Sequence, residues 1–291
     1  MNLRSPVRAG SFYDASPEQC RAHADKLLGQ ADLPDDLPAT IYGGIVPHAG
    51  WVYSGKLAAQ TLQALARCGG AQTFILFGAM HFDVPTRRGV LYDRGVWRTP
   101  VGDLYVDEQL AAAILAGEAM VESNPRAHAY EHSLEVQLPL LKALYPAAMI
   151  VPIGVPPVAE AVQIGQAVGR LMADRFPAVR IIGSTDLTHH GGHFPSPGGH
   201  GEEGVRWTAR NDRRMIDLIE AMEADKIVPE AEAHQNACGA GAIAATIAAC
   251  RAMGASQGRC LAYTNSYDVI HALVPHDPDD TTVGYASIVF V

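Results

Sequence analysis

Residues 41–55 read IYGGIVPHAGWVYSG, an apolar, β-branched run that stops at Pro47 and is followed by the imidazole of His48. Leucines recur at roughly helical spacing over residues 54–68, which predicts a helix there with Ser54 as its N-cap. A strand that passes through a short turn into a helix is the repeating unit of α/β folds with a parallel sheet. His48 therefore stands at the end of a strand, where a binding site can be assembled.

The same alternation of apolar runs and helical patterns continues to the C terminus. Further strands are predicted at residues 73–78, 149–155, 179–184, 259–265 and 283–291, and further helices at 131–145, 157–176, 207–224 and 238–254. The first of these helices contains Pro139 and should be broken or kinked there. Because no repeat or linker divides the chain, we expect a single α/β domain over residues 1–291, with a mostly parallel or mixed central sheet flanked by helices.

Composition and charge narrow the class of protein. Of the 291 residues, 48 % are apolar and 18 % are charged, which is typical of soluble globular proteins. The net charge of −9 argues against nucleic acid or an anionic membrane as a partner. The five cysteines are odd in number and lack close pairs, and the N terminus lacks the apolar segment of a secretory signal. These features predict a cytoplasmic protein.

Two other predicted strands also run into polar side chains. His81 follows the strand at 73–78, and Asp186 and His189 follow the strand at 179–184. In a parallel sheet the carboxyl ends of the strands lie at one edge, where ligand sites form. We therefore expect His48, His81 and Asp186 to converge in a shared metal or acid–base site.

Cys238 opens the Gly/Ala-rich helix predicted at 238–254. The positive end of a helix dipole favours a thiolate at this position. A thiolate with two imidazoles suits Zn, Fe(II) or Cu. The alternative is that Cys238 is a small residue of the core, as we expect of Cys68, Cys250 and Cys260.

A different zinc site is indicated by HAYEH, residues 128–132. It matches the pattern H-x-x-E-H, in which two histidines on one helix face bind zinc and the glutamate acts as the base of a peptidase. Pro125 and a helix that begins only near Glu131 argue against one helix beneath the whole motif. A zinc hydrolase therefore stays as a minor alternative.

Two features concern the surroundings of a site. Trp51 and Tyr53, next to His48, either line a pocket for an aromatic ligand or belong to the core. The Gly- and Pro-rich stretch 191–204 predicts a mobile loop, either an ordinary surface loop or a lid over the site.

Six motifs occur in order along almost the whole chain: VRAGSFYD, VPHAGWVYSG, GAMH, EHSLEVQLPLL, STDLTHHG and NACGAGAI. In this combination the sequence resembles the Memo-like proteins, a family that includes a component of the bacterial and archaeal AmmeMemoRadiSam system. The family is related to the type III extradiol ring-cleaving dioxygenases. The resemblance implies an extradiol-dioxygenase-like α/β domain with a pocket that can hold a metal.

The resemblance implies a divalent metal, Fe(II) in the first place and Cu or Zn as alternatives. Its ligands would be His48 of PHAG, His81 of GAMH and Cys238 of NACG. GAMHF departs from the commoner G-P-S-H-H, so that Phe82 replaces a second histidine. Cys238 stands where the dioxygenases have a carboxylate, and a thiolate donates more charge and can itself be oxidised. Ring cleavage is therefore not inherited with the fold.

The resemblance also implies roles for four more residues. Asp186 and His189 match an S-D-x-x-H pair near the metal, in which His189 would transfer a proton and Asp186 would orient it or bind the metal. Glu131 and His132 match an E-H-S motif close to the pocket and outside the set of metal ligands.

Two classes of function remain open. As an enzyme, the protein would use Fe(II) to activate O2 and a small substrate such as a phenol. As a non-catalytic protein, it would bind a metal and a small-molecule or peptide-like partner, including other components of the AmmeMemoRadiSam system. Turnover of a catechol in air by the Fe(II)-loaded protein would separate the two classes.

Overall fold

The computed structural model describes residues 2–69, 71–82, 84–117, 119–275 and 277–291. Across these residues the chain forms twelve strands, nine α-helices and a 3-10 helix at Pro125–His128. The strands are β1 (Leu3–Arg4), β2 (Gly43–Val46), β3 (Thr73–Gly78), β4 (Gly89–Leu91), β5 (Val96–Thr99), β6 (Gly102–Val106), β7 (Val121–Ser123), β8 (Met149–Gly154), β9 (Arg180–Ser184), β10 (His189–His190), β11 (Gly258–Asn265) and β12 (Thr282–Phe290). The helices are α1 (Pro17–Gly29), α2 (Trp51–Ala66), α3 (Glu108–Ala116), α4 (Leu138–Leu144), α5 (Ala161–Arg175), α6 (Gly201–Glu220), α7 (Ala224–His234), α8 (Ala240–Met253) and α9 (Ser266–Leu273).

The twelve strands of the described residues form one mixed sheet. Its main order is β1-β5-β6-β8-β3-β9-β2-β12-β10, with β11 beside β12, β4 beside β8, and β7 beside β4. The five strands β6, β8, β3, β9 and β2 run parallel to one another. β12 runs antiparallel to β2, β10 and β11. The predicted α/β fold with a mixed central sheet is confirmed.

Helices cover both faces of this sheet. Neighbouring residues of a strand point to opposite faces. On β2, a Cβ atom on Gly43 would meet Cys250 of α8, whereas one on Gly44 would meet Thr61 of α2. Because both faces are covered, the central strands are largely apolar. The strand predicted at residues 73–78 for this reason has the same first and last residues as β3.

Two helices on one face pack closely against each other. A Cβ atom on Gly165 of α5 would lie 2.1 Å from the carbonyl oxygen of Ala245 in α8. One on Gly169 would lie 2.3 Å from the carbonyl oxygen of Ala249. Only glycine permits this separation, which explains the small residues of both helices.

Within the described ranges, no helix has both the length and the apolar character needed to cross a membrane.

Helix α2 begins earlier than its sequence predicts. Its first residue is Trp51 and its N-cap is Gly50, so the prediction of Ser54 as the N-cap is wrong. Ser54 lies one turn inside the helix and donates its hydroxyl proton to the carbonyl oxygen of Ala49, at 3.1 Å. The turn after His48 is therefore only two residues long.

The helix predicted at 131–145 is shorter than expected. α4 begins at Leu138, and Pro139 lies in its first turn, where no amide donor is required. Pro139 thus marks the beginning of a helix and not a kink within one.

The stretch 191–204 is a loop only as far as His200, because α6 begins at Gly201.

Candidate metal centre

Three neighbouring strand ends form the floor of a cavity. β3, β9 and β2 are adjacent in the sheet, and their carboxyl ends lead to His81, Asp186 and His48. The ring centroids of His48 and His81 are 5.2 Å apart. The sulfur of Cys238 lies 3.3 Å from Nε2 of His48. The structure thus brings His48, His81, Cys238 and Asp186 together at this edge of the sheet.

Ser184 fixes the imidazole of His48 in one tautomer. The His48 side chain is buried, and its Nδ1 lies 2.9 Å from Oγ of Ser184. Ser184 donates its own hydroxyl proton to the carbonyl oxygen of Ser133, at 2.7 Å. Because a hydroxyl has one proton, Ser184 must accept the bond from His48. Nδ1 therefore carries the hydrogen, and Nε2 presents a free lone pair beside Cys238.

Glu131 orients His81 in a similar way. One carboxylate oxygen lies 2.9 Å from Nδ1 of His81 and also accepts the N–H of Ser133, at 2.8 Å. The other oxygen accepts the backbone N–H of His81, at 2.8 Å. Burial acts to raise the pKa of Glu131, but the hydrogen bonds from His81 and Ser133 prevail and hold it below its ordinary value. The charged carboxylate thus accepts Nδ1–H and leaves Nε2 free, as in many metal-binding histidines.

Cys238 lies before α8, which begins at Ala240, and not in the first turn of that helix. The backbone N–H of Cys238 donates to the carbonyl oxygen of Asp186, at 3.2 Å, and the N–H of Asp186 donates to the sulfur, also at 3.2 Å. Burial raises the pKa of the Cys238 thiol well above its usual range. The prediction that Cys238 opens the helix and is favoured as a thiolate there is therefore wrong, and a bound cation would be needed to displace the proton.

The carboxyl group of Asp186 is buried beneath His48. Its Oδ1 accepts the backbone N–H of His48, at 2.7 Å, and its Oδ2 lies 3.9 Å from His48 Nε2. Burial raises the pKa of Asp186 to about 7, although backbone hydrogen bonds act in the opposite direction. Asp186 thus holds the His48 backbone in place, and it can gain or lose a proton near neutral pH.

His189 and His132 line the same cavity. Nδ1 of His189 lies 3.0 Å from the carbonyl oxygen of Leu187, so Nδ1 carries the hydrogen and Nε2 is free to accept one. Burial lowers the pKa of His189, which keeps the ring neutral. His132 stacks on His81 with ring centroids 4.6 Å apart, and burial lowers the pKa of His132 to about 4.

The cluster opens into a cavity of about 1030 Å³, large enough for an organic ligand. Phe12, Tyr53 and Phe194 contribute aromatic rings to its lining. Trp51 also reaches the lining, but it is only 2 % exposed and its indole donates to the carbonyl oxygen of Val136, at 2.9 Å. Trp51 is therefore mainly a core residue, whereas Tyr53 is a pocket residue.

The loop over residues 191–200 forms part of the cavity wall. Phe194 packs edge-on against His189 with ring centroids 4.9 Å apart. Asp280 holds the loop at two points, because it accepts the N–H of Gly192, at 3.1 Å, and lies 2.7 Å from Nδ1 of His200. The loop thus reaches the cavity through the ring of Phe194.

HAYEH does not form the arrangement of a zinc peptidase. The 3-10 helix ends at His128, and residues 129–132 are not helical. His128 is 1 % exposed, and its Nε2 lies 2.9 Å from the carbonyl oxygen of Val90. The motif therefore lacks the single helix face that would bring both histidines to one zinc ion.

The described part of the chain contains two groups of side chains with ligand atoms within 4.8 Å of one another: His48, His81 and Cys238, and His81, Glu131 and His132. In the second group, three hydrogen bonds already occupy the Glu131 carboxylate. In the first, the Nε2–Sγ distance of 3.3 Å is close to the roughly 3.5 Å expected between two ligands of one tetrahedral ion. The first group therefore fits a divalent transition metal such as Fe, Cu or Zn.

Sequence reasoning did not identify Ser184 or Ser133 as parts of the site. Ser184 is the last residue of β9, and its only sequence signal is a polar side chain at the end of an apolar strand. Ser133 contributes a carbonyl oxygen, which has no sequence signal at all. Ser184 acts through His48, and Ser133 acts through His48 and, by its N–H bond to Glu131, through His81.

The family model for Memo-like protein matches residues 4–289. A MEMO1 family protein from Methanopyrus kandleri is 34 % identical over 297 residues, covering 99 % of this chain and 98 % of that protein. MEMO1 family proteins from Methanococcoides burtonii and Thermococcus kodakarensis are 33 % and 32 % identical and cover 99 % of both chains. The structure of an uncharacterized Escherichia coli K12 protein aligns with a TM-score of 0.49 and 13 % identity, over 79 % of this chain and 91 % of that one, which is too weak to bear on the fold. This chain belongs to the Memo-like protein family.

Proposed function

We propose that this protein is a metal-dependent enzyme that holds Fe(II) with His48, His81 and Cys238 and oxidises a small phenolic substrate bound in the cavity. The observation that carries the proposal is the pair of fixed imidazoles. Ser184 and Glu131 each engage Nδ1 of one ring, so that Nε2 of both rings is free, and both histidines belong to the cluster that contains the Cys238 sulfur. An iron ion held there would supply activation of O2 and of the phenol.

His189 is the proposed proton acceptor for a phenolic hydroxyl. Its Nδ1–H is donated to Leu187, which leaves Nε2 as the acceptor. Burial lowers the pKa of His189, so the ring is neutral and can take up a proton at neutral pH. Asp186 would support this chemistry indirectly, because it holds the backbone of His48.

The lining of the cavity supports an aromatic substrate. Phe12, Tyr53 and Phe194 offer rings that can pack on a flat molecule, while the strand ends at the floor carry the imidazoles and the buried Asp186. Such a division between apolar walls and a few polar groups is typical of small-molecule sites.

The metal assignment is tested by anaerobic titration with Fe(II), Cu(I) and Zn(II). We expect one ion per wild-type chain, and a loss of affinity of about a hundredfold or more in His48→Ala or His81→Ala, since either variant removes one of the metal's bonds. His234→Gln is a matched control, because His234 is outside the cavity lining and lies near Glu230. Unchanged metal binding in both alanine variants would refute the site.

The catalytic part is tested by oxygen uptake with a catechol and the Fe(II)-loaded protein. We expect His189→Gln to lower kcat by about a hundredfold or more while the metal content stays unchanged, because only the proton acceptor is removed. Equal turnover in wild type and variant would contradict the role of His189.

A second candidate function, metal binding without catalysis, is favoured by Cys238. A thiolate ligand suits Cu(I) and can itself be oxidised. Tighter binding of Cu(I) than of Fe(II), together with no oxygen uptake for any catechol, would replace the enzyme proposal with this one. The cavity would then bind a peptide-like partner or another component of the AmmeMemoRadiSam system.

A further inference from the structure

The described lining of the cavity contains acidic side chains and imidazoles but no lysine or arginine. Among the described residues that line it there are four aspartates and five histidines. The aspartates are Asp14, Asp186, Asp277 and Asp279. An ordinary imidazole is mostly uncharged at neutral pH. The lining residues therefore carry negative charge and no fixed positive charge.

The carboxylates differ in depth. Asp186 is 4 % exposed and belongs to the floor, where it accepts the N–H of His48. Asp14 and Asp277 are half-buried and Asp279 is exposed, so these three lie closer to solvent than Asp186 does, in the part of the lining that we call the mouth. None of the three forms an ion pair with a lysine or arginine of the described residues; Asp14 has only His23, at 3.0 Å. Their charge is therefore available to a ligand.

Several lysines and arginines lie near the cavity without lining it, and two of them, Lys26 and Lys56, line a neighbouring pocket that shares Tyr53 with it. The guanidinium of Arg8 is 4.8 Å from the ring centroid of Phe12 and is not part of the lining. Arg4 is buried in an ion pair with Glu135. Phe12 and Phe194 are cavity-lining rings, whose faces also attract cations.

We infer that the substrate is a phenolic amine, whose ammonium group lies at the mouth near Asp14 and Asp277 and whose phenolic oxygen points to the metal ligands on the floor. The inference rests on the proposed function and narrows its substrate class. Molecules that carry a carboxylate or phosphate at that end are disfavoured, because the described residues of the lining include neither lysine nor arginine to pair with them.

The test compares three catechols of similar size: dopamine with an ammonium group, ethylcatechol without charge, and dihydrocaffeic acid with a carboxylate. Dissociation constants are measured by calorimetry without oxygen, on the metal-free and on the Zn(II)-loaded protein. We expect dopamine to bind about tenfold tighter than dihydrocaffeic acid at low ionic strength, and the ratio to shrink in high salt. Tighter or equal binding of dihydrocaffeic acid, or no binding of any of the three, overturns the inference.

The double variant Asp14→Asn, Asp277→Asn locates the effect. It should reduce the preference for dopamine to less than about threefold and leave the affinity for ethylcatechol unchanged, since it removes charge and keeps shape. Asp174→Asn, on the exposed side of α5 and outside the lining, is the matched control. A preference that survives the double variant refutes the role of the mouth carboxylates.

Two features keep the result decisive. The salt dependence of the wild-type protein reports on charge even where the double variant fails to fold. Metal content is measured separately, so a protein that binds no Fe(II) would refute the proposed function while the comparison on the metal-free protein still decides the charge preference.

Discussion

Nδ1 of His48 lies 2.9 Å from Oγ of Ser184, and Ser184 donates its proton elsewhere, to the carbonyl oxygen of Ser133. The Ser184 hydroxyl can therefore only accept a hydrogen bond from His48. The imidazole keeps its hydrogen on Nδ1, and its Nε2 stays free. A ligand nitrogen can bind a cation only when it is unprotonated. Ser184 therefore prepares His48 for a metal without contacting that metal.

Replacement of Ser184 by alanine should weaken metal binding by about tenfold to a hundredfold. The variant leaves the buried Nδ1–H of His48 without an acceptor, so the ring can turn or change tautomer. Ser184→Thr keeps the hydroxyl and should retain most of the affinity. Anaerobic competition titration measures the affinity, and circular dichroism checks the fold.

Ser287→Ala provides a control for the loss of a buried hydroxyl. Ser287 is fully buried and is hydrogen-bonded to Thr61 at 2.8 Å, outside the cavity lining. It should lower stability and leave metal affinity unchanged. If Ser184→Ala binds the metal as well as this control does, Ser184 does not set the tautomer of His48.

Cys238→Ser should bind metal much more weakly than the wild type, because a serine hydroxyl stays protonated near neutral pH. Cys238→Asp should restore part of the Fe(II) affinity and disfavour Cu(I), since it creates a set of two imidazoles and one carboxylate. Metal titration of both variants under anaerobic conditions measures this. Fe(II) binding of wild-type strength in Cys238→Ser would make Asp186 the better candidate for the anionic ligand.

His128→Ala should destabilise the fold by about 2–4 kcal/mol and leave metal binding nearly unchanged. The side chain of His128 is buried, its Nε2 lies 2.9 Å from the carbonyl oxygen of Val90, and its ring packs beside Trp97. Chemical unfolding and metal titration measure the two effects. Loss of the metal in this variant, with metal retained in His48→Ala, would support the alternative that the protein is a zinc hydrolase.

The stability of the protein should depend on Asp212. Burial raises the pKa of this carboxyl from its ordinary value of 3.8 to about 6, against hydrogen bonds from Thr188 and Tyr263. The folded state thus favours the protonated form, and the resulting stability is present below about pH 4 and is lost as the pH rises through 6. The difference amounts to about 3 kcal/mol.

Urea unfolding between pH 4 and 7 measures this dependence. Asp186 titrates in the same direction with a pKa raised to about 7, so the informative quantity is the difference between wild type and Asp212→Asn. Asparagine cannot ionise, and the variant should lose the part of the slope that lies near pH 4 to 6. Identical slopes in the two proteins would contradict the raised pKa of Asp212.

The amino-acid sequence by itself determined the architecture and the location of the candidate site. Residues 74–77 are all apolar, and this local property predicts a buried strand. Once the strands are parallel, their carboxyl ends must share an edge, and His48, His81 and Asp186 must meet there. Both inferences need only local pattern and the direction of strands.

Only the tertiary structure decided how these side chains are held and which alternatives fail. Ser184 is separated by 136 residues from His48 and by 51 residues from Ser133, and no local pattern links hydrogen-bond partners so far apart. Burial raises the pKa of the Cys238 thiol, and burial depends on what packs around a residue from distant parts of the chain. Strand and helix follow from periodicity along the chain, whereas tautomers, pKa values and the charge around the cavity follow from contacts made across it.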